Sequence, residues 1–116
     1  MGNDRERLNA PLRPIEFHIL LSLASGERHG YGIIQDAEGR GSRLDVGSLY
    51  RALARMADRG LIEAAPRRKE SEAADERRND YRITAKGLRL ARSEARRLAG
   101  LARAARACGL LHEARS

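Results

Sequence analysis

Gly47, Ser48, Arg51 and Arg55 are the residues whose types and spacing can do chemistry. At 100° per residue, Ser48, Arg51 and Arg55 share one side of a helix, with Gly47 beside them near its start. A hydroxyl and two guanidiniums on one face donate hydrogen bonds to phosphate oxygens and to base edges. Small residues in a first turn let a helix end approach a surface closely, and the free amides there favour anions. The pattern predicts a DNA recognition helix. The sequence offers no nucleophile with a base, no paired-carboxylate site and no metal-ligating cluster, so an enzyme is not expected, and no metal or other cofactor is implied.

The helix that must present these residues covers residues 45–59. Asp45 is its expected N-cap, Val46, Leu49, Leu53 and Met56 form its apolar stripe, and Gly60 takes the left-handed position after it. Arg43, in the turn before it, joins the candidate DNA contacts. Upstream, His29-Gly30-Tyr31-Gly32 opens a short helix whose apolar side is Ile33, Ile34 and Ala37, ended by Gly39 and Gly41. Short helix, turn, helix is the order of a helix-turn-helix. Two early glycines lower the short helix's own stability, so it should depend on packing. They also lack the consensus and the preceding strand of a phosphate loop, which argues against nucleotide binding. Pro14 starts an earlier helix with Ile15, Ile19, Leu20 and Leu23 at helical spacing, backed by Phe17 and Leu21. Its polar positions are Glu16, His18 and Ser22, and His18 is expected to meet local backbone or solvent.

Residues 61–65 and 80–84 alternate as short strands, with Ile62 and Ala64 and then Tyr81 and Ile83 on the apolar face. A two-stranded hairpin is marginal alone and must lean on the helices, which makes it a wing. Its loop carries Arg67, Arg68 and Lys69 at one foot, Arg77 and Arg78 at the other, and Glu70, Glu72, Asp75 and Glu76 between. Cations at the feet are placed to straddle a phosphate backbone, whereas the acidic middle is repelled by one.

Thr84 is the expected N-cap of a long helix over residues 85–108, about 36 Å in length, with Gly87 a mild early weakness. Leu88, Ala91, Ala95, Leu98, Ala102 and Ala105 recur at steps of three and four as a pairing seam, flanked by Leu90, Leu101, Ala104, Cys108 and Leu111. So wide an apolar surface predicts a two-fold homodimer, with Leu101 counted in the interface. An alanine-rich seam allows close approach but buries little area per residue.

At 116 residues the chain suits one modest core, and with 3% aromatics that core must be mainly Leu, Ile and Ala. Residues 1–11 are expected to be a flexible arm, 12–84 a DNA-binding unit and 85–116 a pairing helix. Arg5, Arg7 and Arg13 are near the start and within reach of a backbone, although a frayed terminus is expected there. The single Cys108 has no internal partner and is expected to be a small buried apolar residue. No apolar run suits a membrane helix and the first residues are polar, which predicts a cytoplasmic protein without a membrane partner. The net charge of +7 is uneven. Residues 1–84 hold 15 Lys and Arg against 14 Asp and Glu, or +1, while residues 85–116 hold 8 against 2, or +6. The reading helix must therefore work by placement rather than by a basic field.

Five stretches together resemble the PadR family of bacterial transcriptional regulators: residues 17–23 (Phe-His-Ile-Leu-Leu-Ser-Leu), 29–33 (His-Gly-Tyr-Gly-Ile), 47–53 (Gly-Ser-Leu-Tyr-Arg-Ala-Leu), 60–62 (Gly-Leu-Ile) and 81–87 (Tyr-Arg-Ile-Thr-Ala-Lys-Gly). The resemblance implies a mainly α fold with a small β-hairpin, that is, a winged helix-turn-helix plus one long C-terminal dimerisation helix. It also implies a repressor that binds double-stranded operator DNA. Carried over by motif, the DNA-facing positions are Tyr31, Ser48, Tyr50 and Arg51, with wing cations among Arg67, Arg68 and Arg77. A small-molecule effector of unknown identity is an implied partner. The chain has no Trp, and no Phe or Tyr after Tyr81, so it lacks the side chains with which some relatives sandwich flat aromatic effectors. A second function fits the charge distribution: a winged-helix protein-interaction module docking an acidic partner through the basic C-terminal helix.

Overall fold

Local signals decide where the helices begin and end. Pro14 opens α1 (Pro14–Ala24), Asp45 caps α3 (Val46–Asp58), and Thr84 caps α4 (Ala85–Ala107) by accepting from the Gly87 amide at 3.0 Å. The computed structural model describes residues 12–65 and 80–112. Between these helices run β1 (Arg28–His29), α2 (Gly30–Gly39), β2 (Ile62–Ala65) and β3 (Asp80–Ile83). The strands form one antiparallel sheet in the order β1-β3-β2, with Ile62 opposite Ile83 and Arg28 opposite Tyr81. The expected hairpin therefore gains a third strand, and two residues are too few for alternation to have revealed it. Ala65, rather than Ala64, is the second buried residue of β2. The N-terminal arm and the wing loop, with Arg67, Arg68, Lys69, Arg77 and Arg78, lie outside the described residues.

One core joins the elements: Ile19, Leu20 and Leu23 of α1, Ile33 and Ile34 of α2, Leu49, Ala52, Leu53 and Met56 of α3, and Leu90 of α4, with Leu61 and Ile62 beneath. Val46, expected in the buried stripe, is 56% exposed, because it lies one turn ahead of the buried stretch at the open helix start. In α1, Leu21 faces outward while Glu16 and Ser22 are buried. That rotation is allowed because both polar groups find partners. Glu16 accepts from the Arg13 amide at 2.9 Å and lies 3.6 Å from Arg55, and the Ser22 hydroxyl accepts from Arg40 at 3.2 Å. His18 has a distant partner instead of a local one: its Nδ1 accepts from Arg40 Nε at 3.1 Å, tying α1 to the end of α2.

The end of α3 and the start of α4 make a hydrogen-bonded corner. Gly60 turns the chain with φ +77°, a left-handed value that favours glycine. Lys86 Nζ donates to the Arg59 carbonyl at 2.7 Å, the Thr84 hydroxyl to the Gly60 carbonyl at 2.6 Å, and the Thr84 amide to the Leu61 carbonyl at 3.1 Å. Gly87 is pressed against the same backbone: a Cβ there would stand 2.1 Å from the Leu61 carbonyl oxygen. Its missing side chain is what lets α4 seat on the domain.

Among the described residues, only the first half of α4 packs into the core. Gly87, Leu90 and Glu94 are buried and Ala91 packs against the core. Farther along, Ala95, Leu98 and Leu101 are exposed, and so is Cys108, against expectation, because among the described residues nothing else reaches the end of the helix. The buried Glu94 carboxylate accepts from Arg97 Nε at 3.0 Å, and this bond, with help from the Leu12 amide, holds its carboxyl below the usual range. Among the described residues, no helix is long and apolar enough to cross a membrane.

Candidate nucleic-acid interface

The start of α3 is built around Asp45. Its Oδ2 accepts from the Ser48 amide at 2.8 Å, and that bond, followed by one from the Ser48 hydroxyl, holds the carboxyl below its ordinary value. The Ser48 hydroxyl also accepts from Arg51 Nη2 at 3.2 Å. Gly47 makes room for this arrangement, since a Cβ there would lie 3.3 Å from Arg51 Nη1. Ser48 and Arg51 are thus brought together on the outer face, as their spacing predicts, and Gly47 lies beneath the guanidinium. Arg51 is exposed, and among the described residues its one hydrogen bond is to a neutral hydroxyl, with the Asp45 carboxylate nearby, so its guanidinium keeps donors for an anion.

Tyr31, at the start of α2, is 62% exposed. The helix that carries it is capped by His29, whose Nδ1 accepts from the Gly32 amide at 3.0 Å. Tyr50 has a different position from Tyr31. Its ring packs at the core edge and its hydroxyl lies on Gly30, where a Cβ would stand 2.5 Å away. Burial, and then the neighbouring Tyr50, push the Tyr81 phenol above its ordinary value, and both tyrosines pack against the core. Arg55 is anchored too, because its guanidinium neutralises the buried Glu16. The candidate face therefore separates into an outward set, Tyr31, Gly47, Ser48 and Arg51, and two residues, Tyr50 and Arg55, that brace α3 against α2 and α1.

An open groove of about 610 Å³ runs beside Ser48, between the start of α1 and the turn before α3. Arg13, Ser42 and Arg43 line it. Neither guanidinium has a polar partner among the described residues. Arg43 was expected here from its place in the turn; Arg13 joins it because Pro14 starts α1 at that point, the one local signal that could have taken it out of the arm. Along the expected seam of α4, Leu88 and Ala91 are half-buried by their own domain, whereas Ala95, Leu98 and Leu101 are open, and Ala102 and Ala105 beyond them are half-buried. Among the described residues, no group of His, Cys, Asp and Glu could hold a metal ion.

The model of the transcriptional regulator PadR-like family matches residues 19–93. No curated protein matches the chain in sequence. Among solved structures, a PadR family transcription regulator from Clostridium difficile superposes with a TM-score of 0.70 at 23% identity, covering 78% of this chain and 93% of that one. A PadR-like transcription factor from Bacteroides fragilis gives 0.68 at 20% identity over 91% and 96% of the two chains. A transcriptional regulator from Clostridium thermocellum gives 0.65 at 22% identity over 78% and 84%. At these identities the superpositions establish the fold, a winged helix with a long C-terminal helix.

Proposed function

We infer, from the premise that the chain belongs to the PadR-like family of transcriptional regulators, that it is a sequence-specific DNA-binding protein acting as a homodimeric repressor. In this reading residues 12–84 read DNA and residues 85–116 pair two copies. The observation that carries it is the exposed Ser48–Arg51 pair at the open start of α3, where a guanidinium and a helix N-terminus converge on one surface. Tyr31 flanks that surface, and Arg13 and Arg43, without a polar partner among the described residues, would supply backbone contacts beside it. Wing cations among Arg67, Arg68, Lys69, Arg77 and Arg78 would extend the contact along the duplex.

Pairing through Ala95, Leu98, Leu101, Ala102 and Ala105 would set two copies of α3 on one face of the duplex, about 34 Å apart, one turn of DNA. Dimerisation matters to the reading because a near-neutral reading unit binds weakly alone, and linking two such units turns the second binding event into a local one.

The test is operator binding by a selected duplex, measured by fluorescence anisotropy at matched salt. Arg51→Ala should weaken binding by roughly 1 to 3 kcal/mol with the dimer still folded. Wild-type affinity in that variant would refute the assignment of the recognition face.

A further inference from the structure

α4 carries a second cationic surface, distinct from the reading face. Arg89, Arg92, Arg96, Arg103 and Arg106 are all exposed, and none has a polar partner among the described residues. At 100° per residue they fall within a sector of about 100°, opposite the side on which Gly87, Leu90 and Glu94 are buried. From first to last the stripe spans about 26 Å of helix. Arg97 differs from these five, because it is used up by Glu94. Residues 95–112 contain no Asp or Glu at all, so nothing on this stretch compensates the charge.

We propose that this stripe is a sequence-independent contact for the phosphate backbone of duplex DNA. Charge alone would suit any polyanion, and what lies between the arginines favours this one. Between Arg89 and Arg106 the residues on or beside this sector are Ser93, Ala95, Ala99 and Gly100, all small. Protein interfaces draw their affinity from aromatic and aliphatic anchors in desolvated pockets, and this face has none. A regularly charged rod needs only forks at intervals and room for close approach. Guanidiniums supply planar two-point donors to phosphate, and the small residues between them supply the room. The stripe also points away from the buried side of α4, so a partner helix seated on Leu98 and Leu101 leaves it free. The proposal rests on the DNA-binding reading and adds to it a contact that carries affinity without sequence preference.

The experiment measures binding of the full chain to a random-sequence duplex over a salt series. The variant Arg92→Ala/Arg96→Ala/Arg103→Ala should lower the slope of log K against log salt by up to about 2.7, three contacts at about 0.9 each. Helicity by circular dichroism and mass in solution should stay at wild-type values, and Arg→Lys at the same three positions should restore the slope. An unchanged slope in the alanine variant overturns the proposal. So does an unchanged slope accompanied by lost binding to polyglutamate, which would make the stripe a docking site for an acidic protein. Arg51→Ala, run alongside, reports separately on the reading face: it should reduce the preference for operator over random duplex, which the stripe variant should keep.

Discussion

Gly87→Ala tests the corner that joins α3 to α4. The added Cβ would lie 2.1 Å from the Leu61 carbonyl oxygen and 3.0 Å from both the Leu61 carbonyl carbon and Ile83 Cγ1. The obstacle is backbone, which cannot swing aside, so α4 must back away by roughly 1.3 Å to restore ordinary contact. That motion stretches the bonds from Thr84 and Lys86 to the Leu61, Gly60 and Arg59 carbonyls. Overpacking costs about 1 to 3 kcal/mol and each weakened hydrogen bond about 1, offset by about 1 gained from alanine's helix propensity. The net loss should be about 3 to 5 kcal/mol, which lowers the melting temperature by at least about 12 °C at fixed protein concentration. Gly100→Ala is the control, because its Cβ would meet nothing closer than Arg103 Nη2 at 3.9 Å. It should raise stability by about 0.5 to 1 kcal/mol. Urea and thermal unfolding of the two variants in parallel decide the matter. If Gly87→Ala were as stable as Gly100→Ala, the close-contact account of this glycine would be wrong.

Three further outcomes follow from the bracing contacts. Arg55→Ala should cost about 1 kcal/mol of stability, because it strands the buried Glu16 charge while the half-open guanidinium is partly screened, and it should change operator affinity less than Arg51→Ala does; the reverse order of the two variants in unfolding and binding assays would refute the division of labour. Gly30→Ala should displace Tyr50 and destabilise the fold, and Tyr50→Ala should relieve most of that extra cost in a double-mutant cycle, whereas additive effects would show that the two residues do not meet. His18 titrates below its ordinary value, through burial and then the Arg40 guanidinium, so as pH falls below about 6.5 the unfolded chain takes up this proton first and stability drops until the folded value is passed. His18→Gln should flatten that dependence in urea midpoints between about pH 7 and pH 5.5, and an unchanged slope would remove His18 as its source.

Local rules carried the reading of this chain as far as faces and boundaries. Asp45, Thr84, Gly60 and Pro14 stand where caps and breaks demand particular residue types, and all four are found in those places. Ser48 and Arg51 meet because helical periodicity alone places them together. What periodicity cannot supply is the partner across the fold. Arg55 shares the outer face in projection, yet Glu16 of another helix claims it. Tyr50 belongs to the same motif as Ser48, but Gly30 offers its ring a seat in the interior. Gly87 looks like a propensity defect until the carbonyl of Leu61 is seen against it. For Cys108 and Val46 the reason is the opposite: residue type favours burial, but among the described residues no element covers them.

The corner also bears on DNA spacing. A retreat of about 1.3 Å across the first turn of α4, about 5.4 Å long, tilts the helix by about 13°. Over the roughly 35 Å of α4 that tilt carries the far end about 8 Å, more than two base-pair steps. If two copies pair along this helix, the separation of their reading faces is therefore set less by the pairing seam than by the Leu61–Gly87 contact at its root. Gly87→Ala should then lose operator affinity even at temperatures where it is fully folded, while keeping the affinity for random duplex that single reading units and the α4 arginines provide. Selection from a library of half-sites at varied separations measures this directly. A folded Gly87→Ala protein that chose the wild-type separation with wild-type affinity would show that the spacing is fixed elsewhere.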